Sequence, residues 1–305
     1  MAMKHFFIVN PCAGGKSHVD DIKGQAAALD IDAEVYVTRG TADATRFVGE
    51  RCREYGGEAL RFYACGGDGT LNEVVSGAMG HADVEVGCYP CGSGNDYVKY
   101  WPEADFRDLR ALTEARTVEV DVMRVSCRQS VRYALNTLNY GFEAEVCREM
   151  AAVRHKPLVG GRMAYPTGIV RSLAHGRHNP CRISVDGEVW KEGDLLLASL
   201  ANGRYAGGGF RSAPRSENDD GLLEVTAVAP ISVVRFARMI GSYKSGKYLD
   251  SEKLRDVVSY CRGRRVTFES DREFYIGIDG ELPCGRRFEV ENLHKALRFL
   301  VPILA

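Results

Sequence analysis

Apolar residues in the first hundred positions fall into two alternating patterns. Short continuous runs, the first at Phe6-Phe7-Ile8-Val9, mark strands buried on both faces. Between them lie stretches in which apolar positions recur every three or four residues, as on one side of a helix. Read this way, His5 to Asn10 is a strand, Val19 to Leu29 a helix, Ala33 to Thr38 a strand and Asp43 to Tyr55 a helix. Ala59 to Cys65 follows as a strand, Leu71 to Met79 as a helix and Val84 to Tyr89 as a strand. Repetition of one strand-helix unit predicts an α/β domain, a parallel sheet with helices on both faces.

The pattern then changes. Phe106 to Arg116 has helical spacing, but Thr117 to Val122 and Val131 to Leu138 show the β-branched alternation of half-buried strands, which puts a domain boundary between Trp101 and Val120. Glu143 to Gly176 reads as two helices broken at Pro157 and Gly160-Gly161. Strands are expected at Cys181 to Val185, Leu195 to Ala201, Leu222 to Val228, Arg265 to Glu269 and Glu273 to Ile278. The organisation is therefore an α/β domain over residues 1–120 and a β-rich domain with a helical insertion over 121–287. The strand-like tail at about 288–305 is a candidate to return to the first domain.

Length and charge narrow the picture. A chain of 305 residues exceeds what one core usually serves, so two domains with a cleft between them are expected. Forty Lys and Arg against 41 Asp and Glu argue against a dedicated nucleic-acid binder held by a global basic field. One local basic segment runs from Arg148 to Arg182, where Arg148, Arg154, Lys156, Arg162, Arg171, Arg177 and Arg182 face a single acid, Glu149. It is either a solvated helix surface or a contact for phosphate or anionic membrane. The N-terminal apolar run is too short for a signal peptide, and no run is long enough to span a bilayer. A cytoplasmic protein that meets membranes peripherally is expected, with a homodimer as a candidate assembly. Ten scattered cysteines read as reduced and mostly buried, including the Cys88-Tyr89-Pro90-Cys91 pair, whose spacing alone is a weak redox or zinc signal.

Three glycine-rich turns follow strands of the first domain, the edge at which open α/β sheets bind ligands. Asn10-Pro11-Cys12-Ala13-Gly14-Gly15-Lys16-Ser17 lacks Walker A spacing; its glycines let backbone N–H groups approach an anion, or serve simply as a turn. In Gly66-Gly67-Asp68-Gly69-Thr70, backbone amides can cradle phosphates while Asp68 faces Mg2+, or Asp68 caps the helix beginning at Thr70. Gly92-Ser93-Gly94-Asn95-Asp96 adds a second strand-end acid, with ordinary turn chemistry as the alternative. Near the end, Asp279-Gly280 is open to two readings, a hairpin turn or an acid placed for catalysis.

Taken together, Asn-Pro-x-x-Gly-Gly-Lys at 10–16, Gly-Gly-Asp-Gly-Thr at 66–70 with Asn72-Glu73, and Gly-Ser-Gly-Asn-Asp at 92–96 resemble the diacylglycerol kinase catalytic-domain family, whose relatives include the sphingosine kinases. The likeness continues through Asn136, Gly141-Phe142, Gly207-Gly208-Gly209-Phe210, Asp219-Asp220-Gly221-Leu222-Leu223 and Asp279-Gly280-Glu281, and is nearest to bacterial soluble lipid kinases. The resemblance implies an α/β domain like that of phosphofructokinase and NAD kinase, then a β-sandwich-like domain, with ATP between them. It implies phosphoryl transfer from ATP to a lipid hydroxyl, diacylglycerol first, giving phosphatidic acid. Asn10, Lys16, Gly66, Gly67, Asp68, Gly69, Thr70, Glu73 and Asn95 would hold the nucleotide. Asp68, Asp96 and Asp220 would form an acidic network through Mg2+ and water, and Asp279 would be the general base, assisted by Glu281. A structural metal would sit on Asp220 with the backbone carbonyls of Glu217 and Leu222, although the family usually has an apolar residue at 217. Arg162 stands where some relatives carry a functional lysine. The rival readings are an NAD kinase-like enzyme, a silent lipid- or nucleotide-binding module, and a flavodoxin-like redox protein built on Cys88 and Cys91.

Overall fold

The computed structural model describes residues 3–153, 178–279 and 281–303. The expected helix break at Pro157 and Gly160-Gly161, the basic residues between 154 and 177 including Arg162, and Gly280 lie outside the described residues. The chain divides into two compact units, Met1–Val122 with Leu293–Ala305, and Met123–Asn292.

In the first unit, strands β1 (Lys4–Val9), β2 (Ala33–Val37), β3 (Leu60–Gly66) and β4 (Val84–Pro90) are parallel. Their order is β2, β1, β3, β4, and Arg298 and Phe299 extend the sheet beyond β4. Strands β3 and β4 are buried almost throughout, which is why they read as unbroken apolar runs, whereas β2 is the half-exposed edge. Stacked rings tie the central strands together, Phe6 on Phe62 and Phe7 on Tyr63, with centroids 5.0 and 4.6 Å apart. Helices α1 (Val19–Ala27), α2 (Asp43–Glu54) and α3 (Asp68–Ala78) connect the strands. Strand order reverses around β1 and β3, so the turns after these neighbours open at the sheet's topological switch point.

Helix α3 starts three residues earlier than apolar spacing predicts, because its first turn, Asp68-Gly69-Thr70, carries no apolar residue. The expected helix at 106–116 is cut to α4 (Leu109–Thr113), stopped at its N-terminus by the Asp108 carboxylate, which accepts from the N–H groups of Arg110 and Ala111.

The second unit is a pair of antiparallel sheets. After β5 (Arg116–Cys127) and β6 (Ser130–Ala134) come β7 (Thr137–Gly141), helix α5 (Phe142–Val153), β8 (Asn179–Val185), β9 (Glu188–Leu195), β10 (Leu197–Ala201) and β11 (Leu223–Val228). Helix α6 (Val233–Lys244), β12 (Val258–Gly263), β13 (Arg265–Ile278) and β14 (Cys284–Val301) complete it. One sheet runs β12, β11, β10, β7 and the end of β13; the start of β13 pairs instead with β8 and β14. The two expected strands at 265–269 and 273–278 are thus one strand with a register shift between Glu269 and Phe274, which lets it serve both sheets. A single buried cluster holds Leu138, Leu200 and Val225 with Ile183, Phe268 and Phe288. A second apolar cluster packs α6, through Phe236, Met239 and Tyr243, with Leu197 and Val228.

Candidate active site

The three glycine-rich turns of the first unit converge, and their glycines are what allow it. Gly14 has φ +65°, and a methyl group there would lie 2.2 Å from the Cys91 carbonyl oxygen, so the turn after β1 rests directly on the segment after β4. A Cβ on Gly92 would come within 2.4 Å of the Gly67 Cα, so the turns after β3 and β4 touch backbone to backbone. Asn10 Nδ2 donates to Thr70 Oγ1 at 3.1 Å while its Oδ1 accepts from the Cys12 N–H at 3.0 Å, which ties the first turn to α3. The N–H groups of the first turn of α3 have no partner inside their own helix, and together with the helix dipole they favour an anion. Lys16 is exposed at the rim.

Asp68 does not cap its own helix. Its Oδ1 accepts from the N–H groups of Asp96 at 2.7 Å and Tyr97 at 3.2 Å, so the carboxylate pins the third turn in place. Burial, and then the Asp96 charge beside it, raise the Asp68 pKa above the ordinary carboxylate value, outweighing the amides that lower it. A Cβ on Gly94 would lie 2.9 Å from Asp68 Oδ2 and 3.5 Å from Asp96 Oδ2. Glycine therefore keeps open a small space bounded by two carboxylate oxygens. Hard oxygen donors of this kind suit Mg2+, which retains waters and takes one or two carboxylates. Asp96 is 5% exposed, and its other oxygen meets Lys99 Nζ at 2.5 Å. Asn95, at φ +51°, uses its amide to clamp the turn, accepting from the Gly92 N–H and donating to the Gly92 carbonyl.

Glu73, expected among the nucleotide-holding residues, has both carboxylate oxygens on the N-terminus of α2, accepting from the Ala42 N–H at 2.9 Å and the Ala44 N–H at 3.2 Å.

In the second unit, Asp279 occupies the left-handed region at φ +43°. Its Oδ2 accepts from the N–H groups of Leu135 and Asn136, and its Oδ1 from that of Thr137, at 2.9, 3.3 and 3.0 Å. Asn136 in turn donates to the Tyr205 carbonyl at 2.8 Å, and its own carbonyl receives the N–H groups of Asn202 and Gly203. Paired backbone bonds between Ile278 and Glu281 close the turn that presents Asp279, while the Glu281 side chain is exposed and meets Arg132 at 3.1 Å. Glu217 is exposed, Leu222 half-buried, and Asp220 pairs with Arg262. Among the described residues, no three His, Cys, Asp or Glu side chains gather as a metal cluster, and no helix is long and apolar enough to cross a membrane.

Residues 4–125 match the diacylglycerol kinase catalytic domain, and residues 136–301 match the YegS C-terminal NAD kinase beta sandwich-like domain. A "Probable lipid kinase YegS-like" of Chromohalobacter salexigens is 31% identical over 96% of this chain and 89% of its own. The chain belongs to the YegS-like lipid kinase family. Another protein of that description, from Xanthomonas campestris pv. campestris, is 29% identical over 99% of this chain and 98% of its own. A crystal structure of a diacylglycerol kinase from Bacillus anthracis shares the fold, with a TM-score of 0.69 at 20% identity over 98% of this chain and 96% of its own. Yeast NADH kinase shares it more distantly, with a TM-score of 0.54 at 12% identity over 100% of this chain and 84% of its own. The α/β domain followed by a β-sandwich-like domain is thus the architecture of YegS-like kinases and of NAD kinases alike.

Three polar residues of this YegS-like chain escape a motif reading. Lys99 is signalled only by its position three residues after Asp96. Arg262 lies on β12, which has no clear periodicity. Glu143 accepts from the Tyr243 hydroxyl at 2.7 Å, and burial raises its pKa; nothing in its local sequence marks it. The cysteines are all unpaired. Burial lifts Cys91 to about 11 and Cys88 well above the usual thiol value, the opposite of a reactive redox pair.

Proposed function

We propose that the chain is an ATP-dependent lipid kinase that transfers the γ-phosphoryl group to a lipid hydroxyl, with diacylglycerol as the acceptor and phosphatidic acid as the product. The observation that carries this reading is the space beside Gly94, bounded by Asp68 and Asp96 at the N-terminus of α3, in a chain of the YegS-like lipid kinase family. The amides of the 66–70 turn and Lys16 would hold the phosphates, with Asn10 and Asn95 fixing the shapes of the turns. Mg2+ at Asp68 and Asp96 would neutralise charge on the phosphoryl oxygens.

Asp279 is assigned as the proton acceptor, its carboxylate oriented by three backbone amides. The bond from the γ-phosphorus to the β–γ bridging oxygen breaks, and its electron pair leaves with ADP. A new bond forms to the lipid oxygen, whose proton passes to Asp279. Glu281, exposed and paired with Arg132, would assist only through the local field. A lipid acceptor implies peripheral engagement of a membrane surface, and the described ends of the basic segment, Arg148 and Arg182, are already paired with Glu145 and Glu192.

The test is ATP turnover against diacylglycerol, sphingoid bases, ceramide, phosphatidylglycerol and polyprenol in mixed micelles, with mass detection of product and NAD and NADH as parallel arms. Phosphatidic acid as the dominant product supports the proposal. Phosphorylation of NAD or NADH in place of any lipid overturns it.

A further inference from the structure

We infer that the guanidinium of Arg262 is the internal cation of the Asp219-Asp220-Gly221 turn, standing where a structural metal was expected and making the turn independent of divalent ions. The expected site needs the Asp220 carboxylate open to a metal. In the structure both of its oxygens are engaged. Oδ1 accepts from the Leu222 N–H at 2.9 Å, and Oδ2 is met by an Arg262 guanidinium nitrogen.

The guanidinium is placed there by sheet register and not by chance of a surface rotamer. Arg262 on β12 lies directly opposite Glu224 on β11, and its Nε stands 2.8 Å from Glu224 Oε1. One arginine therefore bridges two carboxylates, Asp220 just before β11 and Glu224 within it. Glu224 is 2% exposed, a position in which a carboxylate needs a cationic partner. Burial raises its pKa, while the Tyr260 hydroxyl and Arg262 act to lower it, so the guanidinium favours its charged form. The Arg215 guanidinium lies 5.2 Å from the centre of the Tyr260 ring, adding a second positive charge nearby.

A planar, permanently charged fork suits two carboxylates better than a point charge would, and it cannot be chelated away. A dication on the same Asp220 oxygen would be pressed against that fork. The other expected donors, the backbone carbonyls of Glu217 and Leu222, are neutral and would not offset that repulsion. The residues present do not fit a metal here.

The experiment is thermal melting of the full chain without nucleotide or lipid, so its outcome is independent of the kinase reading. Wild type, Arg262→Gln, Asp220→Asn and the double variant are melted in EDTA, in Mg2+ and in Ca2+, with metal content measured after desalting. Wild type should respond to EDTA, Mg2+ and Ca2+ no more than Asp220→Asn does, any shift shared by the two belonging to the Asp68 and Asp96 space, which both retain. Arg262→Gln should melt roughly 5 °C lower in EDTA, because it strands the two carboxylates. Mg2+ or Ca2+ should restore much of that loss, and should do no more for the double variant than for Asp220→Asn. The inference is overturned if EDTA lowers the wild-type melting temperature and Asp220→Asn abolishes that sensitivity. It is equally overturned if neither cation rescues Arg262→Gln.

Discussion

At the scale of single residues, two aspartates separate the functions assigned to them. Asp68→Asn keeps an oxygen to accept from Asp96 and Tyr97, so the fold should survive, but the charge facing the Gly94 space is lost. Turnover should fall at least ~100-fold with an unchanged melting temperature. Paired melts and kinase assays check this, and near-normal turnover removes Asp68 from the site. Asp279→Asn behaves differently, because an amide NH2 would face one of the N–H groups from 135–137. Loss of a base should cost about 10²- to 10⁴-fold in rate with ATP affinity little changed, and the mismatched amide about 1–3 kcal/mol of stability. Calorimetric ATP titration beside initial rates decides; poor ATP binding with full rate recovered at high Mg2+ would make Asp279 a phosphate or metal ligand. His5 offers a pH test. It is buried, bonded to the Tyr63 hydroxyl at 2.8 Å, and burial followed by the Arg61 charge lowers its pKa to about 4. The unfolded chain, with a histidine near ~6.5, takes up the proton first as pH falls. Stability should be fully present above about pH 6.5 and drop by about 1 kcal/mol near pH 5.5. Urea unfolding from pH 7.5 to 5 should show this slope, flattened in His5→Gln.

Elements differ in how visibly the sequence announces them. Strands β3 and β4, buried on both faces, stand out as apolar runs, and the glycines of the turns are visible as glycines. What local pattern cannot carry is the meeting of Gly67 with Gly92, or of Gly14 with Cys91, which depends on neighbouring strands placing their ends together. No sequence pattern marks β9, which is largely exposed, or β12, which is mostly half-buried, because neither alternates clearly. Helix α6 is amphipathic through Phe236, Met239 and Tyr243, but it begins in Val233-Val234, valines that lie exposed and disguise the start. The contact made by Glu73 is hidden for the same reason: its neighbourhood in sequence is a glycine-rich turn, yet its carboxylate bonds to the start of α2. Ala42, just before that helix, is in a left-handed conformation and supplies no side-chain cap, and Glu73 caps the helix from α3. Glu73→Ala should lower stability by about 1–2 kcal/mol and leave ATP affinity intact, as read by denaturant titration and calorimetry. A weakened ATP affinity at unchanged stability would return Glu73 to the nucleotide site.

At the scale of the whole molecule, the path of the chain matters more than any one contact. Both β5 and β14 have residues in each compact unit, so the polypeptide passes between the units twice, each time inside a strand. The returning segment is structural for the first unit. Arg298 pairs with Glu85, which is only 3% exposed, and Phe299 stacks on Trp101 with centroids 5.3 Å apart. During synthesis, residues 1–122 therefore leave the ribosome before their last sheet partner exists. Domains usually fold in order as they emerge, at ~5–20 residues per second, but here the first must wait, with one edge of β4 uncovered, until the second has been made. The N-terminal unit should be the later of the two to become protease-resistant. Pulse proteolysis of stalled nascent chains ending at 292 should find residues 1–122 susceptible while full-length chains are protected; resistance in the shorter chains would show that the sheet matures without its final strand.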